Sequence, residues 1–130
     1  MKTIIRALTN PENIFSYALG FVVAWFGLNE IFAPQEWVTF VPKFLGDGTF
    51  ALIMVVIHGI ILTSCALLLF FKIYRKIAAG ILALMFAQII IELITQTGLS
   101  DIAVRDIGLC GTAIGLVLLA PFRSTIKQNP

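Results

Sequence analysis

Four long apolar stretches, Ile14 to Ala33, Phe50 to Phe71, Ile77 to Thr95 and Ile102 to Phe122, decide most of what this chain can fold into. Each is about 20 residues, and at about 1.5 Å per residue such a helix crosses the roughly 30 Å hydrocarbon core of a bilayer. A soluble four-helix core would instead keep a polar stripe at helical spacing on every helix, and no such stripe is present. Of 130 residues, 59% are hydrophobic and 12% charged, with a mean hydropathy of +1.00. A domain this small cannot hide that much apolar surface from water. The fold expected is all-α, an integral membrane four-helix antiparallel bundle. No linker separates the spans, so residues 1–130 read as one domain. The short loop from Lys72 to Lys76 forces the second and third spans into an antiparallel hairpin.

The first apolar run is too long for a secretory signal, and no small-x-small cleavage site follows it. Met1 to Leu8 sets Lys2 and Arg6 among Ile4, Ile5, Ala7 and Leu8, a pattern suited to a segment lying on the membrane surface. Asn10 and Pro11 then form a helix start, with Asn10 as cap and Pro11 in the first turn. One side of the membrane receives Lys2, Arg6, Lys72, Arg75, Lys76, Arg123 and Lys127, and the other only Lys43 and Arg105. Seven against two places both termini in the cytoplasm; a multi-pass chain this compact is expected in the cell's inner, cytoplasmic membrane. The basic side should meet anionic lipid, not nucleic acid. Cys65 and Cys110 differ by about 10 Å in depth, beyond the roughly 7 Å between alpha carbons that a disulfide allows, so no bridge is expected.

Charged residues inside a span are costly and mark pairing or a site. Here they share the outer half. Glu30 is near the outer end of the first span, Glu92 near that of the third, and Arg105 and Asp106 near the outer start of the fourth. His58 lies about 12 Å below the outer start of the second span, and Gln88 at similar depth in the third. Gln88 and Glu92, four residues apart, share a helix face. Arg105 and Asp106 point about 100° apart, so Arg105 is expected to pair with Glu92 or Glu30 while Asp106 faces another helix or outer water. Two readings stay open: a salt-bridge network that fixes helix register, or a pocket in which His58 exchanges protons between carboxylates or binds a polar head group.

A single His and two distant cysteines do not make a zinc, haem or iron–sulfur site, and no phosphate-binding loop or nucleophile elbow is present. No catalytic residue and no metal ligand is therefore assigned. The connection Pro34 to Thr49, carrying Trp37, Phe40 and Phe44, reads as an outer cap at the membrane interface. Gly111 and Gly115, with Gly108 before them, allow close approach of a neighbour, either within the bundle or at a homodimer seam.

The stretches GFVVAWFGLNEIF from Gly20, EWVTFVPKFL from Glu36, the hairpin from His58 to Gly80, and VRDIGL from Val104 together resemble the DoxX family, over nearly the whole chain. The resemblance implies a four-helix membrane protein of a family named for a subunit of a thiosulfate:quinone oxidoreductase, with relatives acting as partners of redox enzymes or as assembly factors. His58 stands where that family is expected to carry a carboxylate. The function so implied is a non-catalytic membrane subunit that anchors or supports a redox complex, with a quinone or lipid head group in the outer cluster and no covalently bound cofactor. His58 and Glu92 would hold the ligand's oxygens, Gln88 and Asp106 would complete the cluster, Glu30 and Arg105 would balance charge, and Trp25 and Phe26 would form apolar walls. The alternative is an accessory or assembly subunit without a ligand of its own. A transporter would need a polar path into the inner half, where only Thr63 and Ser64 are offered.

Overall fold

The computed structural model describes residues 1–120. The tail charges Arg123 and Lys127 and the last two residues of the expected fourth span lie outside the described residues. Five α-helices follow one another: α1 (Lys2–Thr9), α2 (Pro11–Phe32), α3 (Gly48–Phe70), α4 (Arg75–Thr97) and α5 (Asp101–Leu119). Three single 3-10 turns, Pro34–Glu36, Val38–Phe40 and Lys43–Leu45, join α2 to α3. The last four helices are long and apolar enough to span a membrane, and their ends fall within about three residues of the stretches read from hydropathy.

The helix ends follow local chemistry. Asn10 caps α2, its side chain accepting from the Glu12 N–H at 3.0 Å, with Pro11 in the first turn as expected. Ser100 caps α5 by accepting from the Ala103 N–H at 3.3 Å. The end of α3 is a Schellman motif, in which the N–H of Lys72 reaches Leu69 O at 3.3 Å and that of Ile73 reaches Leu68 O at 3.0 Å. Lys72 takes the left-handed position of that motif at φ 60°, a place usually given to glycine.

Helices α2 and α3 pack closely along their length, as do α4 and α5, and the two pairs meet where α3 touches α4 and α2 touches α5. Sequence neighbours are therefore spatial neighbours around an up-down-up-down bundle. The shared core is built from Leu19 and Val23 of α2, Leu62 of α3, Leu82 of α4 and Leu116 of α5, all fully enclosed. Cys65 is buried in this core, and Cys110 donates its thiol to Ala83 O at 3.5 Å; neither forms a disulfide.

The outside is as apolar as the inside. Leu84, Ile91 and Leu118 sit in spans yet are 75%, 65% and 78% exposed. Soluble proteins do not present continuous apolar surface of this kind, whereas a bilayer requires it. Since lipid tails solvate Leu as well as a protein core does, close packing must hold the bundle together. The closest approach is at Gly27 and Gly59, where a Cβ built on either residue would lie 2.8 Å from the other's carbonyl oxygen.

Gly108, Gly111 and Gly115 behave differently. A Cβ on any of them would meet nothing within 4 Å. The expectation that they pack inside the bundle is thus corrected: the core-facing stripe of α5 runs through Ala103, Asp106, Ala113 and Leu116, and the glycines lie off that stripe.

Candidate functional site

Contact at Gly27 and Gly59 sets the register of the half of the bundle that holds Glu30 and His58. Glu30 is one turn beyond Gly27, His58 is one residue before Gly59, and a Cβ on Gly59 would lie 2.8 Å from the Cβ of Glu30. The two side chains are thereby brought into contact: His58 Nδ1 lies 2.6 Å from Glu30 Oε2. Glu30 is enclosed, with 7% of its side chain exposed against 22% for His58. With Nδ1–H donating to the carboxylate, Nε2 is an acceptor in a neutral ring and a donor in an imidazolium. Nε2 itself is buried and has no hydrogen-bond partner.

Beside this pair is a cavity of about 500 Å³, within the range of small-molecule sites. Its walls are mainly aromatic and aliphatic, including Phe26 of α2, Met54 and Leu62 of α3, and Phe86 of α4. The connection between α2 and α3 covers one side of it, contributing Trp37, Phe40 and Phe44. Trp37 packs edge-on against Phe26 with ring centroids 5.7 Å apart and at a tilt against Phe40 at 5.8 Å. Its indole N–H is buried and, like His58 Nε2, makes no hydrogen bond.

Of the residues expected at the site, Glu30, His58, Gln88, Arg105 and Asp106 all line this cavity. Three expectations about their arrangement change. Arg105 does not pair with Glu92 or Glu30; its Nε and Nη2 both lie 2.9 Å from Oδ1 of the neighbouring Asp106. The long Arg stem spans the angular step between adjacent residues, and the guanidinium settles over the Phe26 ring at 4.7 Å. Glu92 turns away from the cavity and accepts from Gln96 Nε2 at 2.5 Å, near Lys43 and Thr95 in a shallow surface recess. The buried stripe of α4 runs through Phe86 and Leu93, which leaves Glu92 about 100° off it. His58 consequently touches one carboxylate, not two.

Trp25 is the third correction. It is 63% exposed on the outer surface of α2, while its neighbour Phe26 faces the cavity. Adjacent helical residues diverge by about 100°, and here that step carries the indole to the exposed face of α2. The aromatic wall instead needs Trp37, whose place in a non-periodic loop concealed it; the run of aromatic residues there was the available signal.

The pair Arg105–Asp106 is asymmetric, since 46% of the Arg side chain is exposed against 5% of the Asp. Replacing Arg105 with Leu should therefore cost about 3 kcal/mol by leaving a buried carboxylate without its charge partner. Asp106→Asn leaves a cation that water can reach and should cost under about 1 kcal/mol. Unfolding by detergent titration would read the difference, and equal losses would contradict this account.

Comparison with protein-family models, with curated proteins and with solved structures finds no match. Function must accordingly be argued from the site.

Proposed function

We propose that the chain is a small membrane subunit that holds the ring of a lipid-soluble, quinone-like ligand in its outer-half cavity and supports a partner redox enzyme. The observation that carries this reading is the pair of buried, unpartnered polar atoms, His58 Nε2 and Trp37 Nε1, in two residues that line one aromatic cavity. Buried polar groups are normally satisfied: a quinone carbonyl would accept from Trp37 Nε1–H and from Nε2–H of an imidazolium, and a quinol hydroxyl would donate to Nε2 of a neutral ring. Aromatic walls suit a flat ring, and an apolar tail can leave into lipid between helices. A polar lipid head group would use the same two atoms. The chain supplies binding and a proton path through His58 and Glu30, while electron transfer belongs to the partner. DoxX-like sequence features favour the same assignment. Among the described residues, Lys2, Arg6, Lys72, Arg75 and Lys76 against Lys43 and Arg105 favour an orientation with the N-terminus inside.

The two tryptophans provide the test, because Trp37 lines the cavity and Trp25 does not. In a Trp25→Phe background, a short-chain benzoquinone titrated into the purified protein should quench Trp37 fluorescence saturably. In Trp37→Phe, the remaining Trp25 should be quenched only in proportion to quinone partitioned into the detergent. Linear quenching in both proteins would reject the ligand site.

A second reading, an accessory or assembly subunit without a ligand, is favoured by the open glycine face of α5 at Gly108, Gly111 and Gly115. There a second copy or another membrane protein could approach closely.

A further inference from the structure

At the opposite end of the bundle, the starts of α2 and α4 meet in a second polar cluster, separate from the cavity. Arg75, the first residue of α4, is buried to 7% exposure, and its Nη1 donates to Glu12 Oε1 at 2.8 Å. Nε and Nη2 are buried with no hydrogen-bond partner. These two nitrogens form the side-on edge of the guanidinium, the fork that grips two oxygens of a phosphate or carboxylate at once. Glu12 thus anchors one end of the group and leaves the oxyanion-binding edge unused. A partly paired buried cation is costly, which makes a second anion the expected completion of the site.

Neighbouring features agree in sign. Ser16, one turn along α2 from Glu12 and so on the same face, is fully buried, and its hydroxyl also lacks a partner. The first turn of α4 contains no acidic residue and no side-chain cap, so its dipole is not offset locally. Lys72 lies over the Tyr17 ring at 5.7 Å. Helix α1 is held against α2 by Asn13 Nδ2, which donates to Ala7 O at 2.7 Å, and it exposes Ile4, Ile5 and Leu8. Such a helix lies at head-group depth, where lipid phosphates are concentrated. Lys72 and Tyr74 hold left-handed conformations at φ 60° and 49° in the tight turn that delivers Arg75 to this cluster.

We infer that Arg75, with Ser16 beside its Glu12 anchor, forms an oxyanion site that takes the phosphate of an anionic glycerophospholipid at the basic face of the bundle. Arg75 recognises the phosphate by geometry, whereas Lys2 and Arg6 attract anionic lipid diffusely.

Native mass spectrometry of the intact chain released from mixed micelles of phosphatidylglycerol and a phosphate-free diacyl glycolipid with the same acyl chains would test the site. One phosphatidylglycerol should be retained per chain, at least tenfold in preference to the glycolipid. Arg75→Lys, which keeps the charge and loses the fork, should abolish that preference, whereas the double variant Lys2→Gln/Arg6→Gln should keep it. Displacement of the lipid by excess inorganic phosphate would support the oxyanion site and assign its source to soluble phosphate. Should Arg75→Lys fail to fold, the wild-type protein still decides. Equal retention of both lipids, with no binding of inorganic phosphate, overturns the proposal. So does an Arg75→Lys protein that folds and keeps the preference.

Discussion

Gly59→Ala is expected to destabilise the bundle by about 2 to 3 kcal/mol, a large effect for one methyl group. The added carbon would sit 2.8 Å from both Gly27 O and the Glu30 Cβ, distances that force α2 and α3 apart. Backbone carbonyls cannot rotate away as a flexible side chain can, so relief requires movement of a whole helix. Because His58 precedes Gly59 and contacts Glu30, the same change should also weaken the ligand site. Gly111→Ala is the matched control: its Cβ meets nothing within 4 Å, and the gain in helix propensity is about 1 kcal/mol. Reversible unfolding in detergent measures both. Equal effects would mean that the α2–α3 contact is not the tight one. Loss of a dimer in Gly111→Ala, seen by light scattering, would instead identify the α5 face as the seam between copies.

How much was legible follows from what each kind of residue encodes. The spans could be read because run length alone decides whether a helix crosses a bilayer, and Asn10 and Pro11 marked a helix start because capping is local chemistry. Depth was legible for the same reason: counting residues from a span's end put Glu30, His58, Gln88, Glu92, Arg105 and Asp106 in one half of the bundle, and all of them but Glu92 share one cavity. Azimuth was harder to read. In a helix apolar on every side, no polar stripe distinguishes the buried face, so Trp25 could not be told from Phe26, nor could the outward turn of Glu92 be foreseen. Glycines raise the same difficulty, since Gly27 and Gly59 make the close crossing while Gly111 and Gly115, with the better-known spacing, face outward. Arg75 was read only as one of several basic loop residues; charge counting cannot separate it from Lys72, although one is buried and the other exposed. Trp37 depended on three consecutive 3-10 turns, which carry no periodic signal.

Whether the outer cluster serves a ligand or only fixes register comes down to Glu30 and His58. His58→Leu removes the partner of a nearly enclosed carboxylate and should cost about 3 to 5 kcal/mol. Glu30→Leu should cost less, because His58 retains 22% exposure and a neutral ring is tolerated there. A buried ion pair replaced by apolar residues of similar volume is often no less stable than the original, so the double variant should recover most of what His58→Leu alone loses. Stability and binding then separate. If the pair grips a ligand, the double variant folds well, yet the saturable quenching of Trp37 by benzoquinone disappears, because the ring has lost the imidazole that met its oxygen. If the pair exists to set the register of α2 against α3, quenching survives wherever the fold does, and it follows the stability series from single to double variant. A recovered fold with lost quenching is the result expected from the unpartnered Nε2 of His58, a residue that lines the cavity.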